Sequence, residues 1–401
     1  MRPPSFQCQR NLGRQLRIGV MALLLSETAV AQYRLELLDM LEQYGTSTAG
    51  RVTNSGQILG VQSTYDGPFS VVTWQGKQIA DITAAAGLPG SYRYLHPHTM
   101  NEAGQIVGLL DVYDYDNNAC NPCSVAAHWT GSQLVELEPR RYDRSSYASG
   151  INGAGQIVGS TTRNANLQDR TTRATLWQNG SSTELGTLGG RNSYAFAIND
   201  GGAIVGYSHT TDGFSRATLW QNGLIQDLGT LGGSYSYARA LNERGAIVGQ
   251  ARRSDGDYHA ALWQNGSVTD LGAFATGPFS WSDAVAINES GAIVGTASDD
   301  EGRSLATLWS KGVISDLNTF LSSQQKAEGW LLTYASDIND KGWIVGNAYN
   351  TLTDQTRAFL LTSAVPEPGS YLMFGIGIAL TLFAVRRRYS MAPGLRQLEP
   401  H

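Results

Sequence analysis

The chain of 401 residues has only three cysteines. Cys8 lies in an N-terminal segment with the marks of a removable leader, so only Cys120 and Cys123, in "DNNACNPCSV", remain in the body. No second CxxC exists to complete a tetrahedral zinc site. A thioredoxin-like redox pair would need a strand leading into a helix, and this context is a polar loop. In an exported protein a local Cys120–Cys123 disulfide is the expectation, with free thiols as the alternative.

Charge is also scarce, at 16% of residues, and an excess of basic charge is missing altogether. Residues 32–364 carry 21 basic and 31 acidic side chains, a net of −10. A nucleic-acid partner would need basic stripes to neutralise phosphates, so this balance argues against one. It equally argues against adhesion to anionic lipid. No H-E-x-x-H or G-x-S-x-G motif is present. The apolar run Tyr371–Val385 has 15 residues, short of the roughly 20 that a spanning helix wants.

Glycine is abundant, with 46 residues, as suits many short strands joined by tight turns that need positive φ. A repeat emerges at once. An apolar residue, Asn, two variable residues, Gly, one variable residue and Ile-Val-Gly recur as "MNEAGQIVG" from 100, "INGAGQIVG" from 151 and "INDGGAIVG" from 198. "LNERGAIVG" follows from 241, "INESGAIVG" from 287 and "INDKGWIVG" from 338, with a degenerate copy, "VTNSGQILG", from 52. The steps between copies run from 43 to 51 residues.

Upstream of each signature stands a small-residue segment such as "SYAFAIN" or "SYARALN". Downstream an apolar stretch ends in Trp74, Trp129, Trp177, Trp220, Trp263 and Trp309, with Leu361 in the seventh copy. "QNG" follows Trp177, Trp220 and Trp263. Asn-Gly between apolar segments signals a type I′ hairpin. The segments are too short for stable helices and right for strands.

Four antiparallel strands in each repeat predict an all-β, seven-bladed β-propeller of four-stranded blades. Radial stacking buries both faces of each blade, so the tryptophans are expected between blades. The seventh copy stops after "RAFLLT", and "QYRLELLDML" at the other end of the body resembles the missing outer strand. The N-terminal strand is therefore expected to close the ring and remove an open edge.

The ends read as addresses. Arg2, Arg10, Arg14 and Arg17 precede "IGVMALLL", and Ala29 and Ala31 form an A-x-A site. That order predicts a signal peptide over 1–31, ahead of a propeller over 32–364.

Site candidates are sparse. His96 and His98 in "LHPH" are expected on one strand face, where a metal pair is conceivable. The residue after the repeat Asn is acidic at Glu102, Asp200, Glu243, Glu289 and Asp340. In a closed ring these acids share one rim, where a cation or a basic partner could bind, against ordinary turn solvation. Asp111, Asp114 and Asp116 supply oxygen ligands for a weak calcium site without EF-hand spacing. No other cofactor and no catalytic residue is expected.

The unit "LGTLGG…SYAxAIN…GxIVG…ATLW" resembles the extracellular HAF-repeat family over essentially all of residues 33–363, with Arg173, Arg216, His259 and Arg357 at the position of that family's His. "VPEPGSYLMFGIGIALTLFAVRRR" resembles a PEP-CTERM sorting signal. Its parts are Pro366, Glu367 and Pro368, the apolar run, and Arg386, Arg387 and Arg388. The signal covers 365–388, with a cytoplasmic tail over 389–401. This resemblance implies exosortase as partner, a transient inner-membrane precursor, and a cell-surface or extracellular location in a Gram-negative bacterium. Together the readings give a non-enzymatic propeller that binds or builds the extracellular polysaccharide matrix, with extracellular polysaccharide or surface proteins as possible partners. The alternative is a secreted carbohydrate-active enzyme with acids at the propeller channel.

Overall fold

The Ile-Val-Gly signature forms the second strand of a four-stranded antiparallel sheet, and it does so seven times. The computed structural model describes residues 33–41, 45–63, 69–87, 93–112, 123–139, 141, 144–163, 170–277 and 280–363. A compact unit spans Arg34–Thr362, and it is a seven-bladed β-propeller. The predicted signal cleavage at Ala29 and Ala31 lies outside the described residues. So do Cys120, Asp114, Asp116 and the whole sorting segment with Pro366–Pro368 and Arg386–Arg388. Cys123 opens a strand, Cys123–Trp129, but its side chain lies outside them too.

The innermost strands of the blades are Thr46–Val52, Arg93–Met100, Arg144–Ile151, Gly189–Ile198, Gly232–Leu241, Ser282–Ile287 and Trp330–Ile338. Each hands over to its second strand through the N-x-x-G turn, with Thr53 in place of Asn in the first blade, and the turn glycine takes positive φ, as at Gly202 (76°) and Gly342 (75°). In the third, fourth and fifth blades the third and fourth strands are joined by the Asn-Gly hairpins. Both residues of each lie at positive φ, for example 52° at Asn222 and 75° at Gly223, as a type I′ turn requires. In the last blade the fourth strand is Tyr33–Leu37, which lies beside Gln355–Ser363 at the outer edge. Backbone pairing continues to Leu38, whose N–H donates to the Ala358 carbonyl at 2.9 Å.

The core lies between blades, as the repeated tryptophans predict. Trp129 packs on Leu59 and Val71 of the first blade, Trp177 on Val107 of the second, and Trp220 on Val158 of the third. Trp263 packs on Val205 and Trp309 on Val248. Trp74 packs on Val345 and Ala358 of the last blade, which closes the ring. All six tryptophans are at most 5% exposed.

Every inner strand carries a β-bulge at the same place. Ala195 pairs with Gly206 and Ala197 with Val205, so Phe196 has no partner across the ladder. The same slip leaves over Gly50, His98, Ser149, Arg239, Val285 and Ser336 in the other blades. This explains the glycine of Ile-Val-Gly. A Cβ on Gly206 would fall inside the van der Waals radius of the Tyr194 carbonyl oxygen, and one on Gly249 would meet that of Tyr237 in the same way. The bulge presses the inner strand onto the second, and only a residue without a side chain fits there.

Candidate functional site

The bulges define the site. A channel of about 750 Å³ runs along the axis, and all seven bulged residues line it: Gly50, His98, Ser149, Phe196, Arg239, Val285 and Ser336. An extra residue in a strand re-aims its side chain, here towards the axis. The blades are near-copies, yet these seven positions hold glycine, histidine, two serines, phenylalanine, arginine and valine. The channel wall is therefore chemically uneven around the ring.

At the rim where first and second strands join, two concentric sets of bonds tie neighbouring blades. In the first, each repeat Asn donates from Nδ2 to the carbonyl of the next blade's equivalent residue. Asn101 donates to Asn152 (3.1 Å), Asn152 to Asn199 (3.1 Å), Asn199 to Asn242 (3.3 Å) and Asn242 to Asn288 (3.1 Å). Asn288 donates to Asn339 (3.0 Å), and Asn339 to Thr53 (2.9 Å). Thr53 stands where the first repeat departs from Asn, and its shorter side chain does not continue the girdle.

The second set uses the acids. Glu102 accepts the Asn54 N–H at 2.9 Å, Asp200 that of Gly153 at 2.7 Å, and Glu243 that of Asp200 at 2.8 Å. Glu289 accepts from Glu243 (2.7 Å), and Asp340 from Glu289 (2.9 Å). The Asp340 N–H then donates to Asn54 Oδ1 at 2.9 Å. This ring breaks only where Gly153 has no side-chain acceptor to offer the Glu102 N–H. The two gaps fall at different junctions, so every pair of neighbouring blades keeps at least one bond. The five acids do share one rim, as expected, but their carboxylates are engaged in holding blades together rather than in simple turn solvation.

Two ion pairs involve residues of the channel lining. Arg51 Nη1 is 3.0 Å from Asp337 Oδ1, which joins the first blade to the last. Asp337 also accepts the Val52 N–H at 2.8 Å. Arg239 grips Asp283 of the next blade with Nη2 at 2.9 Å and Nε at 3.3 Å. Burial pushes both carboxyls above the usual aspartate range, and the paired arginines offset part of that rise.

Aromatic rings gather beside the Arg239–Asp283 pair. Tyr194 stacks on its cross-strand partner Tyr207 at 4.6 Å between centroids, Tyr207 meets Tyr237 of the fifth blade edge-on at 5.1 Å, and Phe196 lies 5.6 Å from Tyr207. Burial, with the neighbouring hydroxyls of Tyr194 and Tyr237, drives the Tyr207 phenol well above its ordinary value. Tyr147, desolvated beside His98, is raised to about 12.

The bulge overturns the expectation that His96 and His98 share a face. His96 lies 4.7 Å from Phe69 of the first blade, whereas His98 meets Tyr147 of the third edge-on at 5.3 Å. The extra residue turns the second histidine towards the channel, so the two cannot chelate one ion. His98 is open to the channel's solvent, and the protein packed around the channel lowers its basicity. Asp111 is engaged by His96 Nε2 at 3.1 Å and by the Ser124 hydroxyl at 2.5 Å. Among the described residues no group of three or more His, Cys, Asp or Glu side chains is placed to hold a metal.

Residues 364–388 match the PEP-CTERM protein-sorting motif. That match implies export, recognition by exosortase and a transiently membrane-anchored precursor. Among the described residues no helix is long and apolar enough to cross a membrane.

No curated protein sequence matches the chain at a significant level. Solved structures resemble parts of the chain at low identity. A puromycin-hydrolyzing peptidase of Mycobacterium tuberculosis is 12% identical with a TM-score of 0.46, covering 82% of this chain and 53% of its own. The chain thus spans about half the length of that protein. TolB from Acinetobacter baumannii is 12% identical with a TM-score of 0.40, covering 83% of this chain and 80% of its own. The six-bladed fucose-recognising lectin of the fungus Aleuria aurantia is 13% identical with a TM-score of 0.36, covering 72% and 99%. At these scores the likenesses carry no argument about activity.

Of the seven bulged channel residues only His98 stood out in the sequence. Their signal was present as the variable position in "AxA" of the repeat: Phe196 in "AFA", Arg239 in "ARA" and Val285 in "AVA". A single position that varies amid a tight repeat, facing an Ile-Val-Gly glycine that cannot vary, marks a bulge whose side chain is free to specialise.

Proposed function

We propose that the exported propeller is a non-enzymatic binding or structural component of the extracellular polysaccharide matrix. One observation carries this reading. The five acids that a channel enzyme would draw on are engaged in bonds between blades. The one remaining acid of the channel lining, Asp337, is held by Arg51, and Asp283, behind the lining, is held by Arg239. A general acid or a nucleophile needs a carboxyl free to reach its substrate. The resemblance of the repeats to the extracellular HAF family agrees with an external role, and the sorting motif supplies the route to it.

The second reading, a carbohydrate-active enzyme, draws on the raised carboxyls of Asp337 in the channel and of Asp283 beside it, since perturbed acids in a cleft are candidates for catalysis. A single experiment separates the two. The purified full-length protein in detergent is incubated with exopolysaccharide from the producing cells. Retention on the polysaccharide without release of reducing ends supports the matrix role. Reducing ends that disappear in Asp283→Asn or Asp337→Asn establish the enzyme instead.

A further inference from the structure

We propose that the channel wall at the fourth, fifth and sixth blades, where Phe196 and Arg239 line the channel and Tyr207, Tyr237 and Asp283 stand against them, binds the end of an uncharged glycan chain. This rests on the matrix-binding reading and gives it a site and a ligand class.

The aromatic part suits a sugar. Phe196 belongs to the channel lining, and its contact with Tyr207 continues to Tyr237. All three are half-buried, so part of each ring remains open to solvent. Pyranose rings present C–H faces that pack on such surfaces, and amphipathic aromatics supply contact area with little rotamer entropy to lose.

The polar part decides the charge of the ligand. Arg239 is already neutralised by a two-pronged contact with Asp283. Side-chain exposure is 40% for Arg239 and 14% for Asp283, so the pair still presents donors beside an acceptor. Vicinal hydroxyls can bond to both. A uronate or sulfate would have to compete with Asp283 for the guanidinium and would enter a channel whose other pair, Arg51–Asp337, is also neutral. It would meet in addition the field of Glu102, Asp200, Glu243, Glu289 and Asp340, and a body of net charge −10. Like charges along a low-dielectric channel repel an anion. The position on the axis favours a chain end over the middle of a branched polymer.

Titration calorimetry of the full-length protein in detergent tests this with four probes: maltohexaose, cellohexaose, mannohexaose and hexagalacturonate. At least one neutral hexamer is expected to bind, and more tightly than the uronate. Phe196→Ala and Tyr237→Ala should each weaken that binding by about tenfold, the loss of one aromatic contact. Asp283→Asn should reverse the order of preference, because it frees Arg239 for a carboxylate. Thermal melts identify any variant that fails to fold, and Tyr237→Phe, which keeps the ring, then serves as the control that must still bind. Tighter binding of hexagalacturonate by the unmodified protein would overturn the ligand class. Unchanged affinity in folded Phe196→Ala and Asp283→Asn would overturn the site while leaving matrix binding intact. Failure of the unmodified protein to bind any hexamer or the exopolysaccharide would bring down the functional reading itself.

Discussion

Arg51 of the first blade and Asp337 of the last lie 3.0 Å apart across the seam where the two ends of the repeat array meet. At the other junctions the equivalent positions hold Thr99, Gly150, Ala197, Ala240 and Ala286. The seam is thus the one junction closed by a charge pair at this level. A ring assembled from near-identical blades needs a mark for its last contact, and complementary charges at one junction supply it.

Arg51→Ala therefore leaves Asp337, which is 2% exposed, without its countercharge. Breaking a fully buried pair costs about 3–5 kcal/mol. Arg51 is 40% exposed, so solvent screening brings the expected loss to roughly 1–3 kcal/mol. Urea denaturation of both single variants and of Arg51→Ala/Asp337→Ala should give a coupling energy above about 1 kcal/mol. Additive losses would show that the pair does not tie the seam.

The bulge glycines and the turn glycines should respond differently to alanine. Gly206→Ala drives a Cβ into the Tyr194 carbonyl, so either the bulge or the ladder must yield. A loss of about 1–3 kcal/mol or more is expected, as for overpacking, with a displaced Phe196. Gly202 has open space around its Cβ position and a φ of 76°. Gly202→Ala then costs only the backbone strain, about 1 kcal/mol. Equal melting temperatures for the two variants would contradict the role assigned to the Ile-Val-Gly glycine.

Much of this fold was legible in the repeat. Strand number, blade number, the hairpins at Asn222–Gly223 and its equivalents, and the closing strand at Tyr33–Leu37 all follow from turn chemistry and apolar spacing. The candidate site was less legible. A period-two reading of "LHPH" places His96 and His98 on one face, and only the bulge, a property of the pairing of two strands, separates them. The rim acids posed the same difficulty. Glu243 reads as a solvated turn residue until closure of the ring brings the Asp200 N–H to 2.8 Å from it.

His259 and Asp270 give a pH prediction. The His259 Nδ1 lies 2.8 Å from Asp270 Oδ1, and its Nε2 lies 3.1 Å from the Ser280 hydroxyl. Burial raises the Asp270 carboxyl, but the His259 bond, the Gly272 N–H and Arg253 outweigh it and hold it below the ordinary 3.8. A depressed carboxyl contributes stability that is present above the unfolded value and lost as pH falls through the folded one. Asp270→Asn should thus be less stable than the unmodified protein at pH 7, and the gap should narrow as pH falls below about 4. A gap that stays constant in melts from pH 7 to the acid limit of folding would place the contribution elsewhere.

The C-terminal segment decides where the propeller acts. Pro366, Glu367 and Pro368 precede an apolar run of 15 residues and the cluster Arg386–Arg388, all within the matched sorting motif. A run this short holds the chain in a membrane only weakly, as suits a transient precursor. The arginines keep their side in the cytoplasm. The prolines bias the preceding backbone towards an extended form, the shape a protease reads. In a host with exosortase the mature protein is expected to end near Val365–Pro368 and to leave the inner membrane. Pro366→Ala/Pro368→Ala should block recognition and leave full-length protein in the membrane fraction. Replacing Arg386, Arg387 and Arg388 with Ser should instead impair orientation, so that less precursor reaches the exosortase at all. Mass spectrometry of protein released from the cell surface discriminates between these outcomes. Peptides from 389–401 in that fraction would show that the segment is retained, and the propeller would then act as a membrane-tethered protein.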